Sequence, residues 1–130
     1  MPHTFAITPI YGGLLGLLLV ALTFAVIRLR GKFKVGIGDG GHPALARACR
    51  AHANFIEYVP LVLILLAMLE YRGIPAWALH GLGGGLLAGR LLHAWGLMGS
   101  EKTSFGRAVG IVLTIACLLI TSIWLLVISL

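Results

Sequence analysis

The sequence predicts an all-α integral membrane protein built as a bundle of four transmembrane helices. Three observations lead there. The chain of 130 residues is 59% apolar and 11% charged, against roughly 25% charged for a soluble domain, and its mean hydropathy is +1.02. Four long apolar stretches are separated by short links rich in Gly, Pro or charge. Nine of the ten Lys and Arg residues fall at one end of the bundle that those stretches would make. One membrane domain over residues 1–130 is the natural size.

The first span is expected over about 7–29. Its centre, Ile10 to Ile27, carries no charge and is long enough to cross a bilayer. No basic segment precedes it, so the sequence predicts no cleavable signal peptide. The link 31–41 holds five glycines and reads as an exposed, flexible loop. The second span, about 43–71, opens with Pro43, a good first-turn residue. At 1.5 Å per residue it is over ~40 Å long, more than the hydrocarbon core, so its first turns should project beyond the membrane. Residues 71–75 make a tight turn into the third span, about 75–97. A second short link, 99–104, leads to the fourth, about 105–130, which is apolar after Arg107. Gly81, Gly85 and Gly89 repeat every four residues, as do Gly12 and Gly16, a spacing that lets membrane helices pack closely.

Four spans put the first and third links on one side. Arg28, Arg30, Lys32, Lys34, Arg47, Arg50, Arg90, Lys102 and Arg107 lie at that end, and Arg72 alone lies at the other. The positive-inside rule makes the crowded end cytoplasmic and both termini external. This topology also accounts for the net charge of +6 without any nucleic-acid partner. Arg28, Arg30, Lys32 and Lys34 read as topology determinants. Arg50, Asn54, Glu57, Arg90 and His93 do not, because they sit within or just inside the spans.

Charged groups at bilayer depth are expensive and mark functional or paired sites. Arg47, Arg50, Asn54 and Glu57 follow spacings of 3, 4 and 3, which confines them to an arc of about 80° on a helix. The second helix enters, and the third leaves, at the basic end. This stripe, the Arg90 and His93 pair, and Arg107 therefore meet in one layer. Several arginines around a carboxylate and an amide suit an anionic ligand that also carries an amine or amide. Glu57 either accepts from a ligand ammonium or neutralises Arg50 or Arg90. His93 is a donor, a proton shuttle or an interfacial histidine. A structural salt-bridge cluster without ligand is the competing account. Cys49 and Cys117 match no zinc spacing and read as ordinary thiols, and His52 points away from the Glu57 face. No metal site, phosphate loop or nucleophile triad is visible.

The four-span plan and the stretch Arg50-Ala-His-Ala-Asn54-Phe-Ile-Glu57-Tyr58, supported by Arg90-Leu-Leu-His93 and by Arg107, resemble the MAPEG family, the membrane-associated proteins in eicosanoid and glutathione metabolism. The resemblance covers nearly the whole chain. It implies a homotrimer with glutathione held between neighbouring subunits near the cytoplasmic face. It also implies glutathione contacts at Arg50, Asn54, Glu57, Tyr58, Arg90 and His93, with Arg107 near the thiol as the catalytic residue, and lipophilic substrates. Arg28 or Arg30 would match a first-helix arginine. The chain departs from the family's pattern at Ala53, where several relatives carry a second arginine. It departs also at Leu97 and Ala108, where relatives carry a tyrosine and a serine. The last two remove hydroxyls, which leaves prostaglandin synthesis unsupported.

The expected function is a membrane glutathione transferase or peroxidase acting on lipophilic electrophiles. Two other classes compete: a non-catalytic protein of the same fold, favoured by the missing hydroxyls, and a small four-span exporter. The first span lacks the acidic residue such exporters use.

Overall fold

The computed structural model describes residues 5–99, 102 and 104–130. Four helices follow in order: α1 (Thr8–Phe33), α2 (Pro43–Tyr71), α3 (Ala76–Gly99) and α4 (Phe105–Ser129). No strand occurs among the described residues. Residues 100, 101 and 103 of the expected link 99–104 lie outside the described residues.

α1 runs four residues past its expected end. Arg30 and Lys32 occupy its last turn, where cations favour the negative helix terminus, and Lys34 then stops it in a left-handed conformation at φ 56°. α2 starts at Pro43 as expected and continues through Pro60 without a break. Its helical neighbours keep that segment in register although proline donates no hydrogen bond.

α3 is one of two central helices. Like α2, it packs on all three other helices, whereas α1 and α4 make no close backbone approach among the described residues. By length and apolarity α1, α2 and α4 qualify as membrane spans on their own. α3 carries His80, Arg90, His93 and several glycines, and it turns Arg90 and His93 inward. All four helices expose large apolar side chains, among them Leu17, Phe24, Leu61, Trp77, Trp95 and Val127, as a surface facing lipid or another subunit requires.

The closest helix approach is between α3 and α4. A Cβ on Gly110 would stand 2.5 Å from the Gly89 carbonyl oxygen and from the His93 nitrogen, and one on Gly96 would stand 2.4 Å from the Arg107 nitrogen. Backbone cannot yield as a side chain can, so these glycines set how near the two helices come. This differs from the expected pattern. Gly89 packs tightly and Gly85 touches Cys117, but Gly81, Gly12 and Gly16 have nothing within 4 Å. A spacing of four identifies a helix face without saying which way it is rotated.

The opposite end is fastened differently. Ile7 gives α1 no side-chain cap. Instead Glu70, near the end of α2, accepts from the backbone N–H groups of Ala6, Ile7 and Thr8 at 2.7 Å each. A carboxylate satisfies orphan donors and complements the positive helix terminus.

Candidate functional site

The first half of α2 is amphipathic in three directions. Ala48, Ala51 and Phe55 face the core, and Asn54 is buried beside them. Arg50 and Glu57 stand at the rim, with side chains 54% and 45% exposed. They form a two-point ion pair, Nη1 to Oε1 at 2.9 Å and Nη2 to Oε2 at 3.2 Å. Asn54 Nδ2 also donates to Glu57 Oε2 at 3.4 Å. The carboxylate is therefore occupied from two sides.

Arg90 sits deeper, fully buried. Its guanidinium donates to Asn54 Oδ1 at 2.9 Å and meets His93 Nδ1 at 3.3 Å, and it lies 5.8 Å above the Phe55 ring. Its Nε has no hydrogen-bond partner among the described residues. A guanidinium can only donate, so His93 Nδ1 must accept and the ring proton belongs on Nε2. The same contact fixes which end of the Asn54 amide is oxygen, leaving Nδ2 for Glu57. One buried arginine thus sets the orientation of two polar neighbours.

Above this chain lies a cleft of about 370 Å³. Its polar wall is Arg50, Asn54, Tyr58, His93 and Arg107, and its apolar wall is Leu97, Ala108, Ile111 and Val112. Arg107 is anchored by the start of α4, where Ser104 Oγ accepts from the Arg107 backbone nitrogen at 3.2 Å. The Gly96 contact brings that backbone against α3. Three sequence segments expected to meet do meet. Arg50, Asn54, Tyr58, His93 and Arg107 line one cavity. Glu57 is at its edge, bound to Arg50, and Arg90 is behind the wall, holding Asn54 and His93. Leu97 and Ala108 are themselves part of the lining, and Tyr58, on the polar wall, carries its phenol.

Other expected positions lie elsewhere. Arg28 is exposed. Arg30 Nη1 donates to the carbonyls of Val35 and Gly38, and Nη2 to Cys49 Sγ at 3.6 Å. Cys49 and Cys117 are free thiols, and Cys117 donates to the Leu82 carbonyl. No group of three His, Cys, Asp or Glu side chains suited to a metal occurs among the described residues. Sequence reasoning did not single out Phe55, although its place one residue after Asn54 turns it towards α3. It also passed over Asp39, the lone carboxylate in the glycine-rich first link.

Fold and cleft together define a four-helix integral membrane protein with a cationic pocket at one end. Residues 8–127 match the MAPEG family, and the chain belongs to that family. It is 41% identical over 90 residues to the "Inner membrane protein YecN" of Escherichia coli strain K12, a match covering 69% of each chain. The protein of the same name from Escherichia coli O6:H1 matches to the same extent. No solved structure is a significant match.

Proposed function

We propose that the protein binds glutathione in the cleft bounded by Arg50, Asn54, Tyr58, His93 and Arg107, and conjugates or reduces lipophilic electrophiles with it. The observation that carries this reading is the pairing of two unlike walls in one cavity. Arginines and amide donors suit the carboxylates and peptide groups of a tripeptide. Leu97, Ala108, Ile111 and Val112 lead to the apolar outer surface, where Val112 is 63% exposed, and a lipophilic co-substrate can arrive from the bilayer. Arg107 serves as the cation beside the thiol. A free thiol has a pKa near ~8.5, and a nearby positive charge favours the reactive thiolate.

The half-exposed Arg50 and Glu57 pair supports a homotrimer with the ligand between subunits, since an ion pair facing hydrocarbon is costly. The basic end, with this cleft, is cytoplasmic by the positive-inside rule. A second reading, binding without catalysis, draws on Leu97 and Ala108, which leave no hydroxyl on that wall.

Calorimetry with glutathione on detergent-purified protein, alongside native mass measurement, tests the binding and the assembly. Ultraviolet titration of the bound thiol then separates the two readings. Catalysis requires a bound thiol that ionises at lower pH than free glutathione, and Arg107→Ala should raise its pKa. A stable monomer that binds glutathione would sink the trimer, and unchanged thiol ionisation would favour the non-catalytic reading.

A further inference from the structure

Gly81, Gly85 and Gly89 share one face of α3, and α4 uses only part of it. A Cβ on Gly89 would stand 2.9 Å from Leu113 Cβ and one on Gly85 3.3 Å from Cys117 Sγ, while one on Gly81 would meet nothing within 4 Å. Contact with α4 is lost turn by turn towards the Glu70 end. What remains between the two helices is a groove of about 360 Å³. Gly81 and Gly85 form its α3 wall, and Ala116, Cys117 and Ile120 its α4 wall. Trp77, near the start of α3, and Trp124, near the end of α4, line it too, and no charged residue does among the described residues. The Cys117 thiol is already given to the Leu82 carbonyl, so the groove is apolar throughout.

An apolar groove in a membrane takes either another helix or a lipid chain, and the tryptophans favour lipid. Trp77 and Trp95 are 18 residues apart in α3. That is five full turns, so they project from one face about 27 Å apart along the axis. Both stand clear of the bundle, 75% and 74% exposed. The hydrocarbon core is about 30 Å thick, and tryptophan collects at both of its edges. A face with one exposed indole at each edge looks onto lipid, and the groove opens beside it. The Arg50 and Glu57 rim, where a neighbouring subunit is expected, belongs to α2, which contributes nothing to the groove.

We propose that the groove holds one acyl chain of a phospholipid from the leaflet at the Glu70 end. The chain packs on Gly81 and Gly85 beside Trp124, and the lipid's ester or phosphate oxygens accept from the Trp77 indole N–H, which can only donate. A chain leaving bulk lipid gains nothing from the hydrophobic effect, so close contact holds it. Glycine gives that contact by letting the chain reach the α3 backbone. The repeat on α3 then has two uses, Gly89 for α4 and Gly81 for lipid.

The test titrates delipidated protein in detergent with dioleoylphosphatidylethanolamine and counts bound lipid by native mass spectrometry. Wild type should saturate at one phospholipid per subunit. Gly81→Leu should weaken retention at least about tenfold, because leucine fills the space and leaves the chain few contacts. Its melting temperature should hold, since the position is open. Ala116→Leu fills the groove from the α4 side and should do the same. Trp77→Phe should weaken retention about two- to tenfold, the range of one hydrogen bond. Ala88→Leu, exposed on α3 but outside the groove, should retain lipid as wild type does. Wild type that retains no phospholipid overturns the proposal, as does equal retention by wild type and both filled variants. Equal loss in Ala88→Leu also overturns it. So does a changed oligomeric mass in Gly81→Leu, since the groove would then seat a second copy of the chain.

Discussion

The two ends of this bundle both carry polar side chains, and they use them in opposite ways. At the Glu70 end Glu70, Arg72 and Tyr11 are spent on the chain itself. Glu70 takes three backbone N–H groups of α1, Arg72 donates to the Ile128 carbonyl at the end of α4, and the Tyr11 hydroxyl bonds His80 on α3. Each contact ties one helix end to another. At the basic end Arg90, Asn54 and His93 bond one another in the buried layer, with Arg90 Nε left without a partner among the described residues, and the outer members face two clefts. Arg50 spends two of its donors on Glu57 and has others left. Polar residues in a membrane bundle are therefore not equally informative. Those that close helix ends build the fold, and those held open above a buried arginine point to a ligand.

The difference can be broken first at the α3–α4 contact, on which the open end depends. Gly110→Ala should lower stability by about 1–3 kcal/mol, because its Cβ meets backbone that cannot move alone. Thermal unfolding in detergent reads this directly. The same variant should disturb the spacing of His93 and Arg107 and reduce glutathione binding. Gly81→Ala, with open space around it, should be neutral or gain up to about 1 kcal/mol from helix propensity. Equal loss in both variants would mean that general helix crowding, and not this contact, holds the layer.

Much of the fold was legible in the sequence, because span length and charge asymmetry are local properties. Pro43 starts α2 where expected, and the stripe on α2, the Arg90 and His93 pair and Arg107 do share a layer. Depth and rotation were not legible. Spacing puts Arg90 on the same face as His93, but only the α2 residues Asn54 and Phe55 show that Arg90 lies behind the cleft. The glycine repeats marked small faces, and the helix rotations then left Gly12, Gly16 and Gly81 without contacts. Glu70 caps a helix more than 60 positions away, a partnership no local pattern encodes. The first link looked flexible because it is rich in glycine. Its order comes from Arg30 reaching over it.

A paired substitution sharpens the contrast between the ends. Arg50→Ala should weaken glutathione binding at least about tenfold, or 1.4 kcal/mol. Its effect on stability should stay within about 1 kcal/mol, since the ion pair is half-exposed. Lys34→Ala, in the first link, is the control and should change affinity little. Glu70→Gln should do the reverse. Loss of the charge at the α1 terminus should lower stability by about 0.5–2 kcal/mol, the range of a lost helix cap, and leave affinity within about twofold. Calorimetry and melting on the same preparations give all the values. Binding lost at both ends would show that affinity simply follows stability.

The smallest expected effect concerns Tyr11. Its ring packs over Gly83, where a Cβ would stand 2.3 Å from it, and its hydroxyl lies 3.0 Å from His80 Nδ1 and 3.2 Å from the His80 carbonyl oxygen. Tyr11→Phe keeps the ring in that notch and removes only the hydroxyl. The expected loss is that of one ordinary hydrogen bond, about 0.5–1.5 kcal/mol. The lower half of that range is the better expectation, since the pair is exposed. Glutathione affinity should not move, because the contact lies at the end where Glu70, Arg72 and Tyr11 join helices. A drop in affinity with unchanged melting temperature would give Tyr11 a part in the ligand site and would end the division between the two ends.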